Sequence, residues 1–148
     1  MVPDVRPRRA LLLGLGAGTI ARLLHARFGP VPIVGVDDDR SVLDIARDEL
    51  ADLPHLELVD DDAFAYVARA EERFDLACID LYRGAQPQPR IVSRPFLRQL
   101  RALLAPRGQA AFNLFVDRRV ETRVGRIGRV FRVLERIRVG KNLVVWCR

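Results

Sequence analysis

Three apolar runs in this chain each end on aspartate: residues 32–36 on Asp37-Asp38-Asp39, 56–59 on Asp60-Asp61-Asp62, and 74–79 on Asp80. Each run has the length and composition of a buried strand. The segments between them carry apolar residues at helical spacing instead. Ile20, Leu23, Leu24 and Phe28 form one such face, with Thr19 near its start; Val42, Ile45, Ala46 and Leu50 form the next, and Phe64, Val67 and Ala68 begin a third. A strand at 10–13 precedes the series. Beyond a polar, proline-containing loop (82–90), Pro95 suits a first helical turn ahead of Phe96, Leu97, Leu100, Leu103 and Leu104. Pro106-Arg107-Gly108 then turns the chain into a fifth strand at 109–115. Val120, Val124, Ile127 and Phe131 predict a last helix over 118–131, and strands at 133–139 and 143–146 flank Gly140-Lys141-Asn142, a turn short enough for a hairpin. Strands alternating with helices over short connections require a parallel sheet covered on both faces. The expected fold is therefore α/β: a Rossmann-like, doubly wound, mostly parallel seven-stranded sheet with a C-terminal antiparallel β-hairpin.

The chain has 148 residues, 49% of them hydrophobic, enough for one continuous core. No repeat, low-complexity tract or linker divides it, so residues 1–148 are expected to form a single domain. Of its 25 Lys plus Arg only Lys141 is lysine, leaving 24 arginines. Such one-sided usage reflects a GC-rich coding bias, and the net charge of +6 therefore carries little information about nucleic acid. Arg119, Arg123 and Arg126 make a basic stripe on the last helix. It is expected to be a solvated face, with attraction of phosphate-bearing substrates or RNA as the alternative. Cys78 and Cys147 lie in no Cys/His cluster, which excludes a disulfide framework and a zinc site and favours a reduced, cytoplasmic chain with no metal. Arg6, Arg8 and Arg9 before the apolar run 10–13 mimic a signal peptide, but Gly14, Gly16 and Gly18 cut that run short. No apolar stretch approaches the ~20 residues that span a bilayer.

Ligands of open parallel sheets bind beyond the carboxyl ends of the strands, near the point where strand order reverses. The glycine turn and the three aspartate clusters all fall at such ends. Gly14-Leu15-Gly16-Ala17-Gly18-Thr19 lets backbone approach a ligand closely. A dinucleotide loop would read G-x-G-x-x-G, and Thr19 occupies the position of its third glycine. Asp37, with Asp38 beside it, stands where a carboxylate accepts both hydroxyls of a ribose; the competing role, an acid at the helix start, suits Asp39 better. Asp62 can accept from an adenine amine while the Ala63 amide meets a ring nitrogen, or it can cap the helix that follows; the two roles are compatible. Asp80 ends a central strand, where a carboxylate is costly unless functional or paired with an arginine. His25 and His55 read as surface residues. Tyr82 either packs over a ligand or fills its loop.

Residues 11–19, Asp37, Asp62-Ala63 and Phe74-Asp75-Leu76-Ala77-Cys78-Ile79-Asp80 resemble the successive motifs of class I S-adenosylmethionine-dependent methyltransferases. Within that superfamily the chain is most similar to spermidine synthase-like proteins. Val36-Asp37-Asp38-Asp39-Arg40-Ser41-Val42 looks like their V-E-I-D-P-x-V segment, and Asp61-Asp62-Ala63-Phe64-Ala65-Tyr66-Val67 like G-D-A-x-x-F-L. Residues 97–113 resemble F-x-x-L-R-x-x-L-x-P-x-G-x-x-x-x-N, which ends on Asn113. The resemblance implies that Gly14, Gly16, Gly18, Asp37, Asp38, Asp62, Ala63 and Asp80 bind S-adenosylmethionine or its decarboxylated form, with Asp80 as the catalytic acid/base residue. Two positions depart from the polyamine synthases. Ala17 replaces the aspartate that receives the aminopropyl ammonium, and Arg83 replaces the one that holds the diamine. The expectation is a small methyltransferase acting on a small-molecule substrate. The alternatives are aminopropyl transfer and a non-catalytic cofactor-binding or scaffold domain. No membrane partner is expected; nucleic acid and a homodimer remain open.

Overall fold

The computed structural model describes residues 3, 6–83 and 86–148. Its strands and helices run β1 (Ala10–Leu13), α1 (Thr19–Phe28), β2 (Ile33–Asp37), α2 (Arg40–Glu49), β3 (Leu56–Asp60), α3 (Ala63–Arg69), β4 (Phe74–Ile79), a two-residue pair β5 (Tyr82–Arg83) and β6 (Gln86–Pro87), a 3-10 turn (Pro89–Val92), α4 (Arg94–Leu103), β7 (Leu104–Phe115), α5 (Val120–Gly128), β8 (Val133–Val139) and β9 (Asn142–Cys147). The main sheet has seven strands in the order β3-β2-β1-β4-β7-β9-β8. Pairing is parallel from β3 through β7, and β9 alone runs against its neighbours β7 and β8. The fold matches the expectation down to the closing hairpin, where Val139 pairs with Asn142 across a two-residue loop and Gly140 takes φ 58.

The core divides by side-chain alternation along the buried strands. Leu11 and Leu13 of β1 pack towards α3, α4 and α5, whereas Ala10 and Leu12 pack towards α1 and α2. Strand order reverses between β1 and β4, which are adjacent in the sheet. Leu13 is in register with Val36 on one side and Ile79 on the other. The residues next along these three chain segments, Gly14, Asp37 at the end of β2 and Asp80, therefore emerge side by side. Gly14 sits at φ 84, and a Cβ there would lie 2.3 Å from the Asp80 carbonyl oxygen, so this crossing requires glycine.

Several local expectations are corrected. Leu104 fits the helical period of α4 but begins β7: it precedes Ala105-Pro106, and proline disfavours helical geometry just before it. Phe74 pairs with Leu104 while Leu76 pairs with Gln109, so residues 105–108 form an excursion within β7. The last helix spans Val120–Gly128 rather than 118–131, because Gly125 and Gly128 weaken its end. Phe131 still packs edge-on against Phe112 from the turn beyond. Leu23 (46% exposed) and Ile45 (53%) lie outside the core, and Leu43 takes the buried position in α2. His55 is exposed, as expected, and His25 is half-buried. Part of the 82–90 loop, residues 84–85, lies outside the described residues; the remainder folds into the β5/β6 pair and the 3-10 turn. Among the described residues no helix is long and apolar enough to cross a membrane, and no group of His, Cys, Asp and Glu could hold a metal ion.

Candidate functional site

A cleft of about 720 Å³ opens at the carboxyl ends of β1 to β4. Gly14, Gly16, Asp37, Asp38, Asp62, Ala63 and Asp80 all line it, together with Asp39, Arg40, Val42, Phe64, Leu81, Tyr82 and Gln88. Gly18 does not. It is the left-handed N-cap of α1, at φ 75, and packs against Leu50. Gly16, at φ 50, leaves space free, since a Cβ there would meet no atom within 4 Å.

The aspartates divide their work. Asp37 Oδ2 accepts from the Leu15 amide at 2.9 Å and Oδ1 from the Asp39 amide at 3.0 Å. It thus ties the glycine turn to the end of β2. A carboxylate has about four lone-pair sites, so each oxygen keeps capacity for a ligand hydroxyl. Helix capping falls to Asp39, whose Oδ1 accepts from the Ser41 amide at 2.9 Å. Asp62 caps α3 through the Ala65 amide at 2.8 Å, using Oδ1.

Among the described residues Asp80 pairs with no arginine. Its Oδ1 accepts from Asn113 Nδ2 at 2.8 Å, across the β4–β7 pairing. Asn113 was not singled out by its own chemistry in the sequence, although it closes the final motif of the resemblance. Its own Oδ1 is buried without a hydrogen-bond partner. The Tyr82 hydroxyl donates towards the Asn113 carbonyl at 3.4 Å, and burial followed by the nearby Asp80 charge holds the phenol above its ordinary pKa. Arg83 follows Tyr82; its side chain lies outside the described residues.

Among the described residues five carboxylates line this cleft against one guanidinium, and that one, Arg40, pairs with Asp60 at 3.1 Å. Such a surface repels the pyrophosphate of a dinucleotide and attracts a cation. Cys78, fully buried in β4 beneath Asp80, takes no part as a nucleophile, because burial pushes its thiol up to about 12.

This architecture defines a doubly wound α/β domain with its cleft at the strand switch point, where open parallel sheets bind ligands. A family model described as a methyltransferase domain matches residues 10–108, and the chain belongs to that family. It is 35% identical over 118 residues to a polyamine aminopropyltransferase of Aeropyrum pernix, covering 73% of this chain and 38% of that protein. It is 30% identical over 139 residues to the polyamine aminopropyltransferase of Neisseria meningitidis, covering 89% and 52% respectively. The chain thus spans about half or less of the length of these curated relatives. Among solved structures, human methyltransferase-like protein 13 in complex with SAH superposes with a TM-score of 0.83 at 23% identity, covering 96% of this chain and 72% of that one.

Proposed function

We propose that this chain is an S-adenosylmethionine-dependent methyltransferase whose cofactor lies in the aspartate cleft. The carrying observation is the cleft's charge: among the described residues, five carboxylates and one already paired guanidinium favour a sulfonium cation over a phosphate-bearing cofactor. When bound, that sulfonium supplies an electrophilic methyl carbon. Asp37 would accept the ribose hydroxyls with the lone pairs its two backbone amides leave free. Asp62 would accept the adenine amine beside the Ala63 amide, and Gly14 and Gly16 would give the backbone close approach. Asp80, one oxygen held by Asn113, would take the acceptor's proton on the other. Most of the rate enhancement would come from positioning and from excluding water.

The experiment is a titration followed by melting and calorimetry. S-adenosylmethionine and S-adenosylhomocysteine should raise the melting temperature by mass action, and NAD should not. A shift with NAD and none with the adenosyl ligands would overturn the proposal.

Aminopropyl transfer is the second reading, supported by the names of the curated relatives. It lacks two expected carboxylates, at Ala17 and Arg83. Spermidine formation from putrescine and the decarboxylated cofactor should accordingly be marginal. Turnover on the order of 1 s⁻¹ would establish it instead.

A further inference from the structure

A second depression runs away from the aspartate cleft along α5. Two adjoining cavities of about 320 and 500 Å³ share Val92 and Arg126, and the first shares Gln88 with the cleft itself. The whole forms one track between the 3-10 turn and α4 on one wall and α5 on the other. Its walls carry Arg94 and Arg98 on one side and Arg119, Arg123, Arg126 and Arg129 on the other. Among the described residues no acidic one lines either cavity.

Arg9, Arg22, Arg40, Arg47, Arg69 and Arg136 each pair with a carboxylate, but other arginines outside the groove, Arg8 and Arg107 among them, have no ion pair among the described residues either. What sets the groove apart is that six arginines gather along one track. Of the six groove arginines only Arg123 pairs with a carboxylate among the described residues, Asp117 at 2.6 Å, and its side chain is 14% exposed, more wall than free cation. The other five have no ion pair among the described residues. Like charges gathered with Asp117 as their one ion-pair partner among the described residues repel one another, so a coding bias alone does not account for a groove whose described lining holds no acid. Polyanion binding removes the repulsion. Arg119 and Arg129 bracket α5 and lie about 15 Å apart along its axis at ~1.5 Å per residue. A single phosphate cannot answer a row of that length, whereas a phosphodiester chain presents evenly spaced anions along it. Between the walls, Val92, Leu97 and Val130 offer an apolar floor for sugar and base.

We propose that this groove binds the backbone of a single-stranded nucleic acid and leads one nucleotide to the cleft at Gln88. The binding step stands by itself; the delivery step rests on the methyltransferase reading. There a base or ribose nucleophile would form the new bond to the methyl carbon. The sulfur would keep the electron pair of the broken S–C bond, and the nucleophile's proton would pass to Asp80.

The test uses the full chain and a fluorescein-labelled twelve-nucleotide oligouridylate in an anisotropy titration. Arg98→Glu with Arg126→Glu reverses two groove charges. Arg8→Glu with Arg107→Glu makes the same change in net charge on exposed residues outside the groove. The groove pair should weaken binding at least tenfold and take roughly two from the slope of log K against log salt. The control pair should cost less than threefold. Calorimetry with S-adenosylhomocysteine should give equal affinity for both pairs, which shows the variants are folded. Equal losses from the two pairs would reduce the effect to net charge and overturn the proposal. So would a polyglutamate peptide that binds as tightly as the RNA and is lost with the same pair. Groove-dependent RNA binding without any adenosyl-ligand binding would sustain the groove and overturn the methyltransferase reading instead.

Discussion

Asp80 offers two oxygens, and Asn113 occupies one of them from the neighbouring strand. That contact decides what a substitution there tests. In Asp80→Asn the Asn113 amide can donate to the new carbonyl, so the fold keeps its hydrogen bond and loses only charge. The melting temperature of the free protein should therefore stay within a few degrees of the parent's. Adenosyl-ligand affinity should drop and any methyl transfer should vanish. An Asp80→Asn protein that binds and melts like the parent would place Asp80 outside the site and favour a scaffold. The cysteines carry a different prediction. Burial holds the Cys78 and Cys147 thiols near 12, above their ordinary value of about 9. The folded state thus retains two protons that the unfolded chain releases first. The stability this represents is whole below pH 9 and drains away as pH rises towards 12. Denaturant midpoints should fall steeply across that window, and the double variant Cys78→Ala, Cys147→Ala should fall less. Parallel curves for the two proteins would refute the assignment.

At the scale of elements, the turn after β1 separates two uses of glycine. Gly14 and Gly16 both have positive φ, but only Gly14 would drive a Cβ into backbone, at the Asp80 carbonyl. Gly16→Ala should cost roughly the 1–2 kcal/mol of a left-handed residue, and Gly14→Ala distinctly more, read from urea midpoints. Equal losses would mean that the β1–β4 crossing has room to relax. The same elements show what was legible in sequence. The central strands β1, β2 and β4 are legible as apolar runs with a turn beside them, because strands buried on both faces are written mostly in Leu, Val, Ile and Ala. The exposed edge strand β8, with Glu135, Arg136 and Arg138, is legible only from its place in the closing hairpin. The aspartates were visible as a site because each follows such a run. Positions whose role depends on a neighbour distant in the chain were not visible. Leu104 follows the helical period of Leu100 and is claimed for a strand by Phe74. Leu23 and Ile45 follow the period of α1 and α2 yet face outward, since each helix meets the sheet along a narrower stripe than its apolar content suggests. Asn113 bonds Asp80 only because β7 lies beside β4, and strand order is not written in local spacing.

Taken as a whole, the molecule separates its charges. It carries a net +6, yet five of its 19 acids converge on one cleft at the carboxyl edge of the sheet, while unpaired arginines line the groove that leaves it. A cation approaching the cleft is drawn by a local field opposite in sign to the chain's overall charge, and added salt weakens that pull. The acidic lining also bears on turnover. On the proposed methyltransferase reading, methyl donation would convert a charged sulfonium into a neutral thioether, so the spent ligand would leave the carboxylates with one cation fewer to hold. The cleft would then grip its product less firmly than its reactant, and release would be built into the reaction rather than left to a moving lid. Calorimetry should find S-adenosylhomocysteine bound about tenfold more weakly than S-adenosylmethionine, equivalent to ~1.4 kcal/mol, with the gap narrowing as salt rises. Equal affinities would mean that the carboxylates grip the adenosine alone, and that the spent cofactor competes with every fresh molecule.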